Sequence, residues 1–277
     1  MKKLNIDLQE VKKLYESGMT CGQIAEKFNC SISCIEQKVK MVTTIRKRSD
    51  YGRKKFNENF FEVIDSEIKA YWLGFIYADG CVYTHGNTKY ISIKVQDKEI
   101  CDNFIRDIEG DFTTKTYMMK KTTNSEERRE VYFAECSSNK MFSDLNKLGV
   151  VERKSLILTF PTEQQVPKHL IPHFIRGYFD GDGTVITGAR FGHTYSKVKT
   201  PYIKIGFNGT KEMLEGINKY IPETMSIHKE KRHPDTNTYF CYKSGTKTIK
   251  KIFDYLYKDA TVYLTRKYQK FKDYYKI

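Results

Sequence analysis

Two aspartates stand at the same place in two similar stretches of the chain. Residues 72–82 read WLGFIYADGCV and residues 175–185 read IRGYFDGDGTV, pairing Gly74 with Gly177, Asp79 with Asp182, Gly80 with Gly183 and Val82 with Val185. Upstream of Asp79 the residues are apolar or small, including Tyr71, Trp72, Leu73, Phe75 and Ile76, and a helix apolar all round belongs in a core. Gly80 and Gly183 read as left-handed residues that stop each helix, which puts each carboxylate at the partially negative end of a helix dipole. Gly74 and Ala78, like Gly177 and Gly181, are four apart and share a face, so the two helices are expected to pack on each other. Two carboxylates and two helix ends then converge. A divalent cation with oxygen ligands is a natural way to neutralise them. One copy alone would be only a buried helix with a capped end; the repetition points to chemistry.

In doublet form these stretches resemble the paired motifs of the LAGLIDADG homing endonucleases, a resemblance that covers roughly residues 56–277. Gly74 and Gly177 match the motif's glycine, and Asp79 and Asp182 its catalytic acid. The first copy departs at Tyr77, where the family often has a second acid that is not the metal ligand. The resemblance implies hydrolysis of one phosphodiester on each strand of duplex DNA by a monomer, at a long and only roughly palindromic site. Asp79, Asp182 and the carbonyls of Ala78 and Gly181 would hold two or more Mg²⁺, with Mn²⁺ as a substitute. Lys154 and Lys267 resemble the family's basic catalytic position, although a lysine after a helix also complements its dipole. Gln96 and Asn208 align where the family often places a water-orienting polar residue, with Asp97 and Gly209 equally placed. The family also includes non-catalytic DNA-binding regulators and intron RNA maturases, and both remain as alternatives.

The elements that must position these groups follow from periodicity. After the first motif, TKYISIKVQ alternates as a strand, EICDNFIRDI is helical, TTKTYMMKKTTNSEERR holds a third strand and a polar loop, REVYFAEC is a strand and NKMFSDLNKL a helix. The order is αββαββα, and residues 172–277 repeat it. The expected fold class is α+β. Two pseudo-symmetric repeats, 58–160 and 172–277, are joined by a proline-bearing connector at 161–171, and their antiparallel sheets form a saddle. Alternate strand residues face the ligand, so Ser92, Lys94 and Gln96, or Lys204, Gly206 and Asn208, are candidates for contact with DNA.

Residues 1–45 read as a separate all-α domain. Leu8, Val11, Leu14 and Tyr15 make an apolar stripe, Gly18 stops that helix, Thr20 caps a second in which Ile24, Ala25 and Phe28 face inward, and Ser31 or Ser33 caps a third in which Ile32, Ile35 and Val39 recur at helical spacing. The arrangement resembles a helix-turn-helix of the resolvase or homeodomain-like kind, with Ser31, Ser33, Glu36, Gln37, Lys38 and Lys40 available to a major groove. A three-helix protein-interaction module is the bland alternative. Residues 46–57 form a basic linker in which Arg46, Lys47, Arg48, Arg53 and Lys54 can follow phosphates or simply be solvated.

Composition agrees with a polyanionic partner. Lys plus Arg total 48 against 34 Asp plus Glu, for a net charge of +14. Seven scattered cysteines form no CxxC pair and read as reduced thiols. No signal peptide or run of about 18 apolar residues is present, so the expectation is a cytoplasmic or otherwise intracellular protein without a membrane. The six histidines show no metalloprotease pair and are taken as surface or loop residues. Phosphate-binding GxxxxGK[ST] and GxSxG signatures are absent, which argues against nucleotide hydrolysis and serine esterase chemistry.

Overall fold

The computed structural model describes residues 6–43, 54–119, 129–191, 199–232 and 234–277. The chain divides into two compact units, Met1–Arg53 and Lys54–Ile277.

In the first unit, α1 (Leu8–Glu16), α2 (Cys21–Lys27) and α3 (Ile32–Val42) enclose a small core of Ile6, Val11, Tyr15, Ile24, Ala25, Ile35 and Val39. Local chemistry sets each end. Gly18 takes φ +105° after α1, Thr20 and Gln23 form a reciprocal capping box on α2, and the Ser31 hydroxyl accepts from the N–H of Cys34 at the start of α3. Ile32 does not face inward. It is 54 % exposed, because it lies one residue inside the α3 cap while Ile35 and Val39 carry the buried stripe.

The second unit opens on packed structure rather than linker. The Lys55 N–H donates to the Asp111 carboxylate and the Asp111 N–H to the Lys55 carbonyl, the Asn57 N–H donates to the Ile108 carbonyl, and Phe60, Phe61 and Ile64 are buried. The first repeat then runs α4 (Glu67–Ala78), β1 (Gly80–His85), β2 (Thr88–Val95), α5 (Lys98–Asp107), β3 (Lys115–Met118), β4 (Glu130–Ser137) and α6 (Asn139–Lys147). The second runs α7 (Ile171–Asp182), β5 (Gly183–Phe191), β6 (Lys199–Gly209), α8 (Lys211–Tyr220), β7 (Ser226–Lys229), β8 (Tyr239–Ser244) and α9 (Thr246–Tyr257). It ends on a further helix, α10 (Thr265–Tyr275).

Each repeat forms a four-stranded antiparallel sheet, ordered β1-β2-β4-β3 and β5-β6-β8-β7. One face of each is core, with Val82, Ile91, Ile93 and Ala134 in the first and Val185, Ile203, Ile205 and Phe207 in the second. Helices α5 and α6 pack on the first sheet, α8 and α9 on the second. The central contact is between α4 and α7, whose residues Ala70–Tyr77 and Phe174–Asp180 are buried. A Cβ on Gly74 would lie 2.0 Å from the Phe174 carbonyl oxygen, and one on Gly177 would lie 1.9 Å from that of Tyr71. Glycine is what lets the two backbones meet.

Gly80 and Gly183 require a correction. Neither has a positive φ, and Gly183 is extended at φ −82°, ψ 157°. They begin strands β1 and β5. A Cβ on Gly80 would lie 2.6 Å from Ile76 Cα, and one on Gly183 would lie 2.4 Å from the Phe179 carbonyl oxygen. The chain doubles back tightly onto its own helix, and that approach excludes a side chain.

Candidate active site

Asp79 caps α4 and Asp182 is the last residue of α7. The close helix crossing carries these ends together. A Cβ on Gly181 would sit 2.3 Å from the Ala78 Cβ and 3.5 Å from Asp79 Oδ2, so the Asp79 carboxyl lies against the residue preceding Asp182. Burial pushes the Asp182 carboxyl up to about 6, and the negative charge of Asp79 adds to that. Asp79 reaches solvent, yet the protein packed around it raises its carboxyl too, against the pull of the Lys267 and Lys154 ammoniums.

Each helix end is closed by a buried lysine. Lys154 Nζ donates to the carbonyls of Ala78 (3.2 Å) and Gly80 (2.7 Å). Lys267 Nζ donates to those of Phe179 (2.6 Å), Asp180 (2.8 Å) and Gly181 (3.1 Å), and to Gly183. Ala78 and Gly181, and Gly80 and Gly183, are equivalent positions, so the two ammoniums occupy equivalent places. Lys154 lies in a 3₁₀ turn at 154–156. Lys267 lies in the first turn of α10 rather than after the last helix, because the segment from Thr265 continues as helix. Both lysines are buried. Desolvation lowers both, Lys267 to about 8, while the facing carboxylates oppose that shift.

Beside the acids, a cavity of about 760 Å³ is lined by Asp79, Lys94, Gln96, Asp97, Tyr117 and Arg266, among others. Arg266 Nε donates to both Asp97 carboxylate oxygens at 2.9 Å. Asn208 is exposed, and its Nδ2 donates to the Asp182 carbonyl at 3.3 Å. Gln96 and Asn208 are not matched positions. Lys94 pairs with Phe133 as Asn208 pairs with Phe240, so the counterpart of Asn208 is Lys94. The turn from β2 to α5 is one residue longer than that from β6 to α8, so an alignment made on the helices is out of step with the strands.

The remaining candidates are scattered. Lys94 is exposed and Lys204 half-buried on the open faces of their sheets. Ser92 is not available to a ligand. It is 1 % exposed and its hydroxyl has no hydrogen-bond partner, because Tyr83 stacks on Tyr90 across the same face and donates to Glu135. Lys54 is also engaged, with its ammonium on the Glu135 carbonyl and 4.4 Å from the Phe112 ring centroid. Ser31, Ser33 and Gln37 are exposed on α3 and Lys38 is half-buried. Arg46, Lys47, Arg48 and Arg53 lie outside the described residues.

Sequence reasoning missed a polar network behind the acids. Asp180, fully buried, accepts from Tyr71 Oη (3.0 Å), Tyr257 Oη (3.2 Å) and the Leu264 N–H (2.7 Å). Burial pushes its carboxyl up to about 6. Arg176 donates to Glu67 (2.7 Å) and to the carbonyls of Leu256 and Val262. A charged pair in an otherwise apolar helix, IRGYFDGD, was the available signal. His173 is on a helix rather than a loop and shares a 2.9 Å hydrogen bond with Arg176 within α7, while His228 is an exposed residue of β7 that stacks on Phe240 of β8. His193 and His233 lie outside the described residues.

Among the described residues no three His, Cys, Asp or Glu side chains gather as a metal site. The converging oxygen donors are two carboxylates and the carbonyls at two helix ends. This hard, oxygen-only set suits a cation that takes its remaining ligands from water and a phosphate. All seven cysteines are free thiols, and among the described residues no helix is long and apolar enough to cross a membrane.

Solved structures share this architecture. A lysine-to-alanine variant of the meganuclease I-SmaMI superposes with a TM-score of 0.51 at 12 % identity, covering 75 % of this chain and 89 % of that one. I-SmaMI bound to uncleavable DNA with a TTGT central four superposes at 0.50 and 12 % identity, with the same coverage. I-SmaMI is a LAGLIDADG homing endonuclease. The fold is the LAGLIDADG fold. Residues 2–38 match the helix-turn-helix domain of resolvase, which accounts for the three capped helices of the first unit. No curated protein matches the chain in sequence. The two repeated stretches that resemble the paired motifs form α4 and α7.

Proposed function

We propose that the protein is a site-specific, magnesium-dependent DNA endonuclease that cuts both strands of a duplex as a monomer. The observation that carries this reading is the pairing of Asp79 with Asp182 at two glycine-packed helix ends, each backed by a buried lysine. The net charge of +14 and the DNA-bound relatives of the fold support a duplex as substrate.

The chain's own groups have distinct tasks in such a reaction. Asp79 and Asp182, with the Ala78 and Gly181 carbonyls, would hold Mg²⁺. The cation would supply Lewis-acid polarisation of the scissile phosphate and a more acidic bound water. Lys154 and Lys267 spend their protons on helix-end carbonyls. They therefore act as fixed positive charges that hold the acids' helix ends in shape and offset charge developing at the phosphate. Asn208, tied to the Asp182 main chain, and Gln96, on the cavity wall, would orient water. The exposed α3 residues Ser33 and Gln37 would contact a further stretch of duplex.

Cleavage of a randomised duplex library with Mg²⁺ tests this, comparing wild type with Asp79→Asn and Asp182→Asn. Staggered double-strand cuts at one long site, reduced to nicks or lost in either variant, are expected. Retention of one duplex without cutting under any divalent metal would leave a DNA-binding regulator instead.

A further inference from the structure

The two sheets share a backbone pattern but differ on their open faces. Strand register matches Cys81, Ser92 and Glu135 of the first sheet with Thr184, Gly206 and Tyr242 of the second, and Tyr83 and Tyr90 with Ile186 and Lys204. In the first sheet this place is closed. Tyr83 and Tyr90 stack at 5.0 Å, Tyr83 Oη donates to Glu135 Oε2 at 2.6 Å, and Ser92 lies buried beneath them.

In the second sheet the same place is open. Gly206 contributes no side chain, and a hollow of about 180 Å³ lies over it, walled by Ile186, Phe240 and Tyr242. Ile186 and Tyr242, on the two strands that flank β6, are 43 % and 42 % exposed, an unusual state for large apolar side chains. The walls are braced. Phe240 and Tyr242 lie 6.2 Å apart at 10°, and His228 stacks on both.

Charge decides what the hollow can take. The Lys204 ammonium sits 3.7 Å from the Tyr242 ring centroid, and Arg190 lies over Tyr202 further along the same hairpin. The open-face positions of β5, β6, β7 and β8 contain no carboxylate, whereas the first sheet presents Glu135. An apolar hollow with the Lys204 ammonium at its wall and no acid around it suits an apolar group carried on a polyanion. On the major-groove edge of a duplex, that group is the 5-methyl of thymine.

We propose that the Gly206 hollow receives the 5-methyl edge of a thymine, making the half-site under the second sheet selective for that base while the first half-site lacks this contact. The proposal rests on duplex DNA being the ligand. The half-sites of the duplicated scaffold thus differ in the chemistry they read, not only in sequence.

The test uses the full chain and the duplex selected from a randomised library, with thymines replaced one at a time by deoxyuridine, which removes only the methyl. In one half-site a single replacement should weaken binding about fourfold, the factor expected for one buried methyl group, with no comparable position in the other half. In Ile186→Asn, a change at an exposed wall residue, the thymine-over-uracil ratio at that position should fall to one. Equal binding of all uracil duplexes, or an unchanged ratio in Ile186→Asn, would overturn the proposal while leaving the DNA reading intact. Failure to select any duplex would overturn both.

Discussion

The main-chain N–H of Leu264 donates to Asp180 Oδ2 at 2.7 Å, and Lys267 follows three residues later. Asp180 thereby ties motif helix α7 to the segment that delivers Lys267, to Tyr71 on α4 and to Tyr257 on α9. The first repeat has no such acid. Tyr77 stands at the matched place and donates to the Leu148 carbonyl.

Replacing Asp180 should therefore affect the halves unequally. Asp180→Asn puts an amide donor among three donors, at a cost of about 1–3 kcal/mol, measurable by urea unfolding. Cleavage of one strand should slow more than the other, so that a doubly end-labelled duplex accumulates nicked product. Equal slowing of both strands would argue that the network only supports the fold.

Stability without metal should depend on the Asp182 carboxyl. Its pKa is about 6 in the folded state against about 3.9 for a free side chain. A carboxyl raised on folding favours the folded state while protonated. That contribution is present below about pH 3.9 and is lost as pH rises through the folded value. In chelator, Asp182→Asn should thus raise stability at pH 8 by about 1–2 kcal/mol, allowing for partial exposure. The gain should vanish toward pH 4 in thermal unfolding scans.

The helix crossing gives a second stability prediction. Gly74→Ala or Gly177→Ala drives a methyl into a facing carbonyl oxygen. Each should cost about 3 kcal/mol, seen as a lower denaturant midpoint. The acids should also separate, so the surviving folded fraction should need more Mg²⁺ for half-maximal cleavage.

The two lysines should not be equally important to folding. Lys267→Met removes the ammonium from four carbonyls, of which that of Phe179 keeps the Gly183 N–H, whereas Lys154→Met removes it from two. Unfolding should show Lys267→Met as the more destabilising by about 1–3 kcal/mol.

Affinity for the selected duplex should fall linearly in log–log form with salt. The slope should be about −0.9 per phosphate neutralised. Titrations from low to physiological ionic strength check this, and a flat response would remove the electrostatic argument for DNA.

Local chemistry was legible in the chain itself. The repeated glycine–acid spacing announced a helix pair, and Gly18, Thr20 and Ser31 marked the ends of the first unit's helices, because caps and periodicity involve residues a few positions apart. Where a side chain ends up among distant neighbours was not legible. Gly80 and Gly183 were needed for close approach rather than for a left-handed turn. Ser92 and Lys54 alternate or cluster like DNA contacts, yet Tyr83 and Glu135 engage that surface first.

The sequence by itself determined the doublet, the order of elements and the two acids, since each rests on short-range spacing. Only the tertiary structure decided that Lys154 and Lys267 close the helix ends, that Asp180 ties α7 to the segment delivering Lys267, and that Gly206 opens a hollow where Ser92 lies covered. These depend on groups brought together from segments 50 to 90 residues apart in the chain. Their meeting is fixed by packing and strand register rather than by any local preference.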